Sequence, residues 1–189
     1  MGKGYAVRQG MLKAEGDCCI FTDIDLPYDL TAIPYAFHLI HDIGFDCVAG
    51  DRTLHYSSDV ASRPLVRKLA SKVFSRGIAL LVIGGIFDSQ CGFKAFSRRL
   101  ARAIFPLLTI NRFSFDVELY YLLLKYNIVI RRIPVHLKHH DVSTVSVVGH
   151  FWEMTCEVLA IPFKWHSGKY RSDVLADFYV EDKYWEKNA

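Results

Sequence analysis

No run of about 18 apolar residues occurs in this 189-residue chain, so no segment reads as a membrane-spanning helix. The longest apolar run, Ile78 to Phe87, is interrupted by Gly84 and Gly85. No C-x-x-C occurs, and the five cysteines (Cys18, Cys19, Cys47, Cys91, Cys156) are odd in number. This argues against a disulfide framework or a zinc ribbon and reads as buried, reduced thiols in a cytosolic protein. The opening Met-Gly-Lys-Gly is not the basic-then-apolar pattern of a secretory leader. Ala6 stands where a myristoylation site has Ser or Thr. The net charge of +3 is too mild for the basic stripe of a nucleic-acid binder, so no nucleic acid is expected as a partner. No internal repeat, low-complexity tract or linker divides the chain.

What is present is globular, with 51% hydrophobic and 23% charged residues, and the length fits one domain. The periodicity predicts a helix over 3–15, stopped by Gly16. A buried parallel strand over 18–22 ends in Asp23-Ile-Asp25. A second helix has Ile33, Phe37, Ile40 and Ile43 as its apolar stripe and Asp29 or Thr31 as its cap. A second strand spans 46–50, ending at Gly50-Asp-Arg52. A helix follows Pro64 to about Gly77, and 80–87 is strand or loop. Ser97 caps a short helix, 116–126 is a very apolar helix, and Ile128 to Val135 reads as a strand. Trp152 to Phe163 reads as helical, either packed on the core or lying at a membrane interface, and a polar tail follows Ser167. Alternating strands and helices predict an α/β fold, a mostly parallel sheet with helices on both faces.

The residues able to carry chemistry stand at the ends of these elements. Asp23 and Asp25 close a buried strand, where open parallel sheets bind ligands, and two such acids can share a hard divalent cation with phosphates. Gly2-Lys3-Gly4 opens a helix that can present amides and an ammonium to phosphates. In Asp88-Ser-Gln-Cys-Gly-Phe-Lys94, Gly92 permits close backbone approach, and Lys94 is a candidate charge partner for Asp88. Cys91 has no second ligand at metal spacing and reads as packing. Asp116 and Glu118 open a helix, where carboxylates favour the dipole. Arg67 and Ser71 share a helix face one turn apart. Basic residues cluster at Arg63, Arg67, Lys68, Lys72 and Arg76, and again at Arg98, Arg99 and Arg102, the second group reading as a solvated helix face.

The order and spacing of Gly2-Lys-Gly-Tyr-Ala-Val-Arg8, Phe21-Thr-Asp-Ile-Asp25, Asp88 to Lys94 and Phe113-Ser-Phe-Asp-Val-Glu118 resemble the catalytic domain of family 2 glycosyltransferases. The polyprenyl- or dolichyl-phosphate sugar synthase branch is the nearest in likeness. The resemblance implies a GT-A, Rossmann-like catalytic domain over 1–150, then a C-terminal helix and polar tail over 151–189. It implies a metal-dependent, inverting transfer of a hexose from a UDP- or GDP-sugar to a polyprenyl or dolichyl phosphate, at the cytoplasmic face of a membrane.

On that resemblance, Asp23 and Asp25 hold Mg2+ or Mn2+, with Pro27 where some relatives have a further ligand and Asp29 as its substitute. Lys3 and Arg8 lie near the nucleotide. Asp88 and Gln90 shape the sugar pocket, with Lys94 beside them. Arg52, Arg67 and Ser71 resemble the lipid-phosphate clamp of dolichyl-phosphate mannose synthases. Lys138 belongs to a mobile basic loop whose usual Gly-Ser-Lys is here Asp141-Val-Ser-Thr-Val-Ser. A phosphate monoester is already anionic at neutral pH, its second pKa being about 6, so it needs cations more than a base.

Two other readings stay open. One is transfer to a sugar hydroxyl, with Asp116 as general base; the other is a non-catalytic remnant that binds a partner. The resembled domain also begins with two more strands, ending in Asn-Glu and Asp-Asp-Gly-Ser. The likeness therefore implies a fragment, a split product or a truncated gene. Strand 18–22 would then have a bare edge, sugar-nucleotide affinity would be poor, and another segment or an oligomer would complete the site.

Overall fold

The computed structural model describes residues 2–26, 28–54, 88, 91–136 and 151–178. Within them the chain forms α1 (Lys3–Lys13), β1 (Cys18–Phe21), α2 (Ala32–His41), β2 (Cys47–Asp51), β3 (Lys94–Ser97), α3 (Arg98–Ile104), α4 (Phe115–Lys125), β4 (Ile130–Pro134) and α5 (Phe151–His166). The predicted helix after Pro64 and the element at 80–87 lie outside the described residues.

The sheet runs in the order β1-β3-β2-β4. β2 and β4 pair in parallel, while β3 pairs antiparallel with both β1 and β2. Three strands therefore share one direction and β3 runs against them. The sequence reading did not foresee β3, because four residues following a Gly-containing loop carry almost no periodicity. Its consequence is functional. The carboxyl ends of β1, β2 and β4 meet the amino end of β3 at one rim of the sheet, so Asp23, Asp51 and His136 come level with the segment entering Lys94.

Side-chain alternation along the strands supplies two cores. Cys19, Phe21, Cys47, Ala49 and Phe96 face α1, α3, α4 and α5; Cys18, Ile20, Val48, Ala95 and Ile133 face α2. Helices thus cover both faces. α2 departs from its predicted stripe. Ala32, Ala36, Leu39 and Ile40 are buried, while Ile33, Phe37 and Ile43 are exposed. Two alanines let the helix backbone approach the sheet closely, which bulkier side chains on that face would prevent.

Ser97 accepts a hydrogen bond from the Leu100 amide at 3.1 Å and so caps α3 as its sequence predicts. The arginines of α3 are exposed yet engaged. Arg98 and Arg102 donate to backbone carbonyls at Glu15, Gly16, Leu12 and Ala14, satisfying the end of α1. α5 and the following segment bury Val158, Ile161, Tyr170, Leu175 and Phe178 in the same core as α4, so the stretch after Ser167 is not purely a polar tail. Cys19, Cys47 and Cys91 are buried and Cys18 half-buried, all unpaired; Cys156, expected inside, is exposed on α5. Among the described residues no helix is long and apolar enough to cross a membrane.

Candidate active site

The turn after β1 places Asp23 and Asp25 at the rim. Leu26 closes it with φ +42 and its amide on Asp23 O at 3.0 Å, a backbone state that only a firmly held turn imposes on a leucine. Asp25 points to solvent and makes no ion pair among the described residues. Asp23 turns inward. Its Oδ1 meets Lys3 Nζ at 2.6 Å, and its carboxylate lies so close over Gly92 that a Cβ there would stand 1.9 Å from Oδ2. The Gly92 amide donates to the Tyr28 hydroxyl at 3.0 Å. Burial raises the Tyr28 phenol pKa and keeps it neutral, against the weaker opposing effect of the Gly92 amide. Tyr28 carried no motif that would have marked it in the sequence.

Two ion pairs, one buried and one part-buried, frame the 88–94 motif, with partners other than those expected. Lys94 pairs with Asp116, Nζ to Oδ1 at 2.7 Å, not with Asp88, and both side chains are 1% exposed. Its ammonium also donates to the Cys91 carbonyl at 2.7 Å and lies over the Phe21 and Tyr120 rings. Burial pushes the Asp116 carboxyl up, against the opposing pull of Lys94 and then Lys3. Asp88 instead takes Arg52: Nη2 reaches Oδ1 at 2.6 Å, Nε reaches Oδ2 at 2.9 Å, and the Arg52 amide adds a bond at 2.7 Å. Such a forked pair fixes both groups. Arg52 uses its Nε and Nη2 edge for this and is 27% exposed in its side chain.

Neighbouring groups complete the rim. Asp51 accepts from Thr53 N at 2.7 Å and from Arg132 at 3.0 Å. Asp29, the substitute ligand expected opposite Pro27, gives Oδ1 to the Thr31 amide at 3.0 Å and shapes the turn into α2. Between that turn and β4 lies a cavity of about 240 Å³ lined by Asp29, Thr31, Tyr35 and His136 among others. Arg8 reaches away from the rim to Leu108 O and Asn111 Oδ1. Gln90, Arg67, Ser71 and Lys138 lie outside the described residues.

The carboxylates at this rim available to a divalent cation are Asp23, engaged by Lys3, and Asp25, turned to solvent. Among the described residues no group of three or more His, Cys, Asp or Glu is placed to hold a metal ion. Two carboxylates alone suit a hard cation that takes the rest of its shell from phosphate oxygens and water. The Lys3 ammonium on Asp23 shows that this carboxylate already holds a positive charge.

Residues 1–105 match the sequence model of Glycosyl transferase family 2. A dolichyl-phosphate beta-glucosyltransferase of Dictyostelium discoideum is 35% identical over 171 residues, covering 88% of this chain and 52% of that protein. Its Drosophila melanogaster namesake is 31% identical over 176 residues, covering 90% and 54%. The chain thus spans about half the length of the curated relatives it matches. Glucosyl-3-phosphoglycerate synthase from Mycobacterium tuberculosis, solved with Mn2+ and UDP-glucose, superposes with a TM-score of 0.56 at 16% identity. The overlap covers 84% of this chain and 53% of that one, a likeness of fold. With more than half of its length matched, the chain belongs to glycosyl transferase family 2.

Proposed function

We propose that this chain transfers a hexose, glucose by the names of its relatives, from a UDP- or GDP-sugar to a polyprenyl or dolichyl phosphate. The observation that carries this reading is the packing of Asp23 against Gly92 while its other side meets Lys3, which joins the acid pair, the 88–94 motif and the start of α1 in one site. Asp23 and Asp25 would hold Mg2+ or Mn2+, whose chemistry is to neutralise charge on a departing diphosphate. That a fold neighbour was solved with Mn2+ and UDP-glucose supports the choice of ion and nucleotide. Lys3 and the first-turn amides of α1 other than that of Tyr5, which Asn111 O takes, would offer an ammonium and amides to the same diphosphate. Asp88, with Gln90, shapes the sugar pocket while Arg52 holds it in place.

The acceptor is the finer part of the proposal. A lipid phosphate arrives already ionised and attacks the anomeric carbon opposite the leaving diphosphate, inverting it. Asp116, 1% exposed and bound to Lys94, is poorly placed to take a proton from a sugar hydroxyl, which favours the phosphate acceptor over the hydroxyl one. The free end of the Arg52 guanidinium would give such an acceptor positive charge, to which Arg67 would add a second guanidinium and Ser71 a hydroxyl, while Lys138 would serve the diphosphate. α5 presents Trp152, Cys156, Leu159 and Phe163 on one exposed face at helical spacing, and this face is proposed to rest on the cytoplasmic surface of the membrane that holds the lipid.

Asp25→Asn tests the reading. Transfer of glucose from UDP-glucose to dolichyl phosphate should fall by at least 100-fold, the scale of one lost charge-stabilising group, with the melting temperature unchanged. Undiminished metal-dependent transfer by that variant overturns it.

A further inference from the structure

Glu118 is fully buried in the first turn of α4. Its Oε2 accepts from the amides of Thr109 and Ile110 at 2.9 and 2.8 Å. Its Oε1 accepts from the hydroxyls of Thr109 and Tyr170, each at 2.5 Å. Lys164 of α5 donates to the same Thr109 hydroxyl at 2.8 Å. A buried carboxylate is costly to desolvate, and four short donor contacts offset that cost only by fixing every group involved. The groups so fixed are a loop, 108–112, and a segment beyond α5.

That loop is the seat of α1. Arg8 Nη1 donates to Leu108 O at 2.5 Å, and the Tyr5 amide to Asn111 O at 3.0 Å. A Cβ on Gly2 or Gly4 would come within 2.6 Å of Asn111 O or Ile110 O, so the backbone on either side of Lys3 lies flat on the loop. Lys3, between these two glycines, reaches Asp23. The same helix turn braces the other half of the site, because Asp116, two residues earlier, is bound to Lys94.

We infer that Glu118 is a positioning residue for the donor side of the site: it holds the 109–111 backbone on which Gly2 to Tyr5 rest, and so sets where the Lys3 ammonium stands against Asp23. Its effect on catalysis rests on the glycosyl-transfer reading above; its effect on the geometry of α1 does not. Glu118→Gln keeps the volume but turns an NH2 toward at least one of the four donors. Hydrogen exchange of the native chain and this variant should show faster amide exchange at 2–6 and 108–112, with 47–51 and 130–134 unchanged. In steady state, KM for UDP-glucose should rise about tenfold, as for a loss of about 1.4 kcal/mol. KM for dolichyl phosphate should stay within about twofold, on the same scale about 0.4 kcal/mol. Tyr170→Phe, which removes one donor and leaves three, should show the same pattern at smaller size and covers the case in which Glu118→Gln does not fold. Faster exchange confined to 108–112, or an equal rise in both KM values, overturns the inference. If the native chain makes no glucosylated lipid, the functional reading fails, while the exchange pattern still decides the role of Glu118.

Discussion

Gly92 lies directly beneath the carboxylate of Asp23, with less room between them than one methyl group requires. The acid at the end of β1 and the motif entering β3 are therefore a single packed unit. Gly92→Ala should push Asp23 off its seat, costing about 1–3 kcal/mol of stability by overpacking and abolishing transfer from UDP-glucose. Gly10→Ala is the control. It lies in α1 with nothing within 4 Å of the added Cβ, and it should gain about 0.5–1 kcal/mol in urea denaturation.

Lys94→Met should cost about 3–5 kcal/mol, because it strands the Asp116 carboxylate in the core. The deficit should depend on pH. Burial holds the Asp116 carboxyl above its ordinary range, and losing Lys94 removes the strongest opposing pull. A raised acid favours the fold when protonated; that contribution is complete below the ordinary carboxylate pKa and is lost as pH rises through the folded value. The variant's deficit should be greatest near pH 7 and shrink toward about pH 4, the ordinary carboxylate range. Thermal unfolding across that range checks it; a deficit that grows on acidification would contradict the burial of Asp116.

Thiol chemistry should divide the cysteines sharply. Burial pushes the Cys47 thiol up to about 12 and that of Cys18 to about 11, while Cys91 is raised the same way. Cys156 is exposed on α5. Maleimide should label one site quickly in the native protein, and Cys156→Ser should remove that fast phase while leaving the slow labelling that accompanies unfolding.

Trp152 and Phe163 are each 76% exposed, an unusual state for large aromatic side chains in water. Replacing both with Asn should lower co-sedimentation with vesicles of anionic phospholipid by about tenfold or more, given about 1.5–3 kcal/mol for each apolar side chain withdrawn from water. The melting temperature should hold, since neither side chain belongs to the core. Equal vesicle binding by the double variant would exclude this face as the membrane contact.

Local order along the chain was legible in the sequence. The run Cys18–Phe21 was legible as a buried strand ending in acids, although it pairs antiparallel with β3 rather than in parallel; Ser97 announced α3, and the motif spacing pointed to the family whose model matches residues 1–105. These signals depend on periodicity, capping and short-range spacing, which a single chain displays whatever its neighbours are. α2 shows the limit of that evidence. Three of the four residues of its predicted stripe, Ile33, Phe37 and Ile43, face outward, because the sheet packs against the face that carries Ala32 and Ala36.

Which charges meet was settled only by tertiary structure. Lys94 is nearer in sequence to Asp88 than to Asp116, yet it pairs with Asp116, 22 residues away, and Asp88 takes Arg52, 36 residues away. Both choices follow from β3 running antiparallel between β1 and β2, a strand order that no local pattern encodes. Glu118 looked like an ordinary dipole-favouring acid at a helix start and became the holder of the α1 seat once folding delivered Thr109 and Tyr170 to it. The sequence by itself determined most of the described elements, β3 excepted, and which charged residues stand at their ends. The pairing of buried charges required the fold, because the partner of a desolvated group is whichever counter-charge the packed backbone brings within reach.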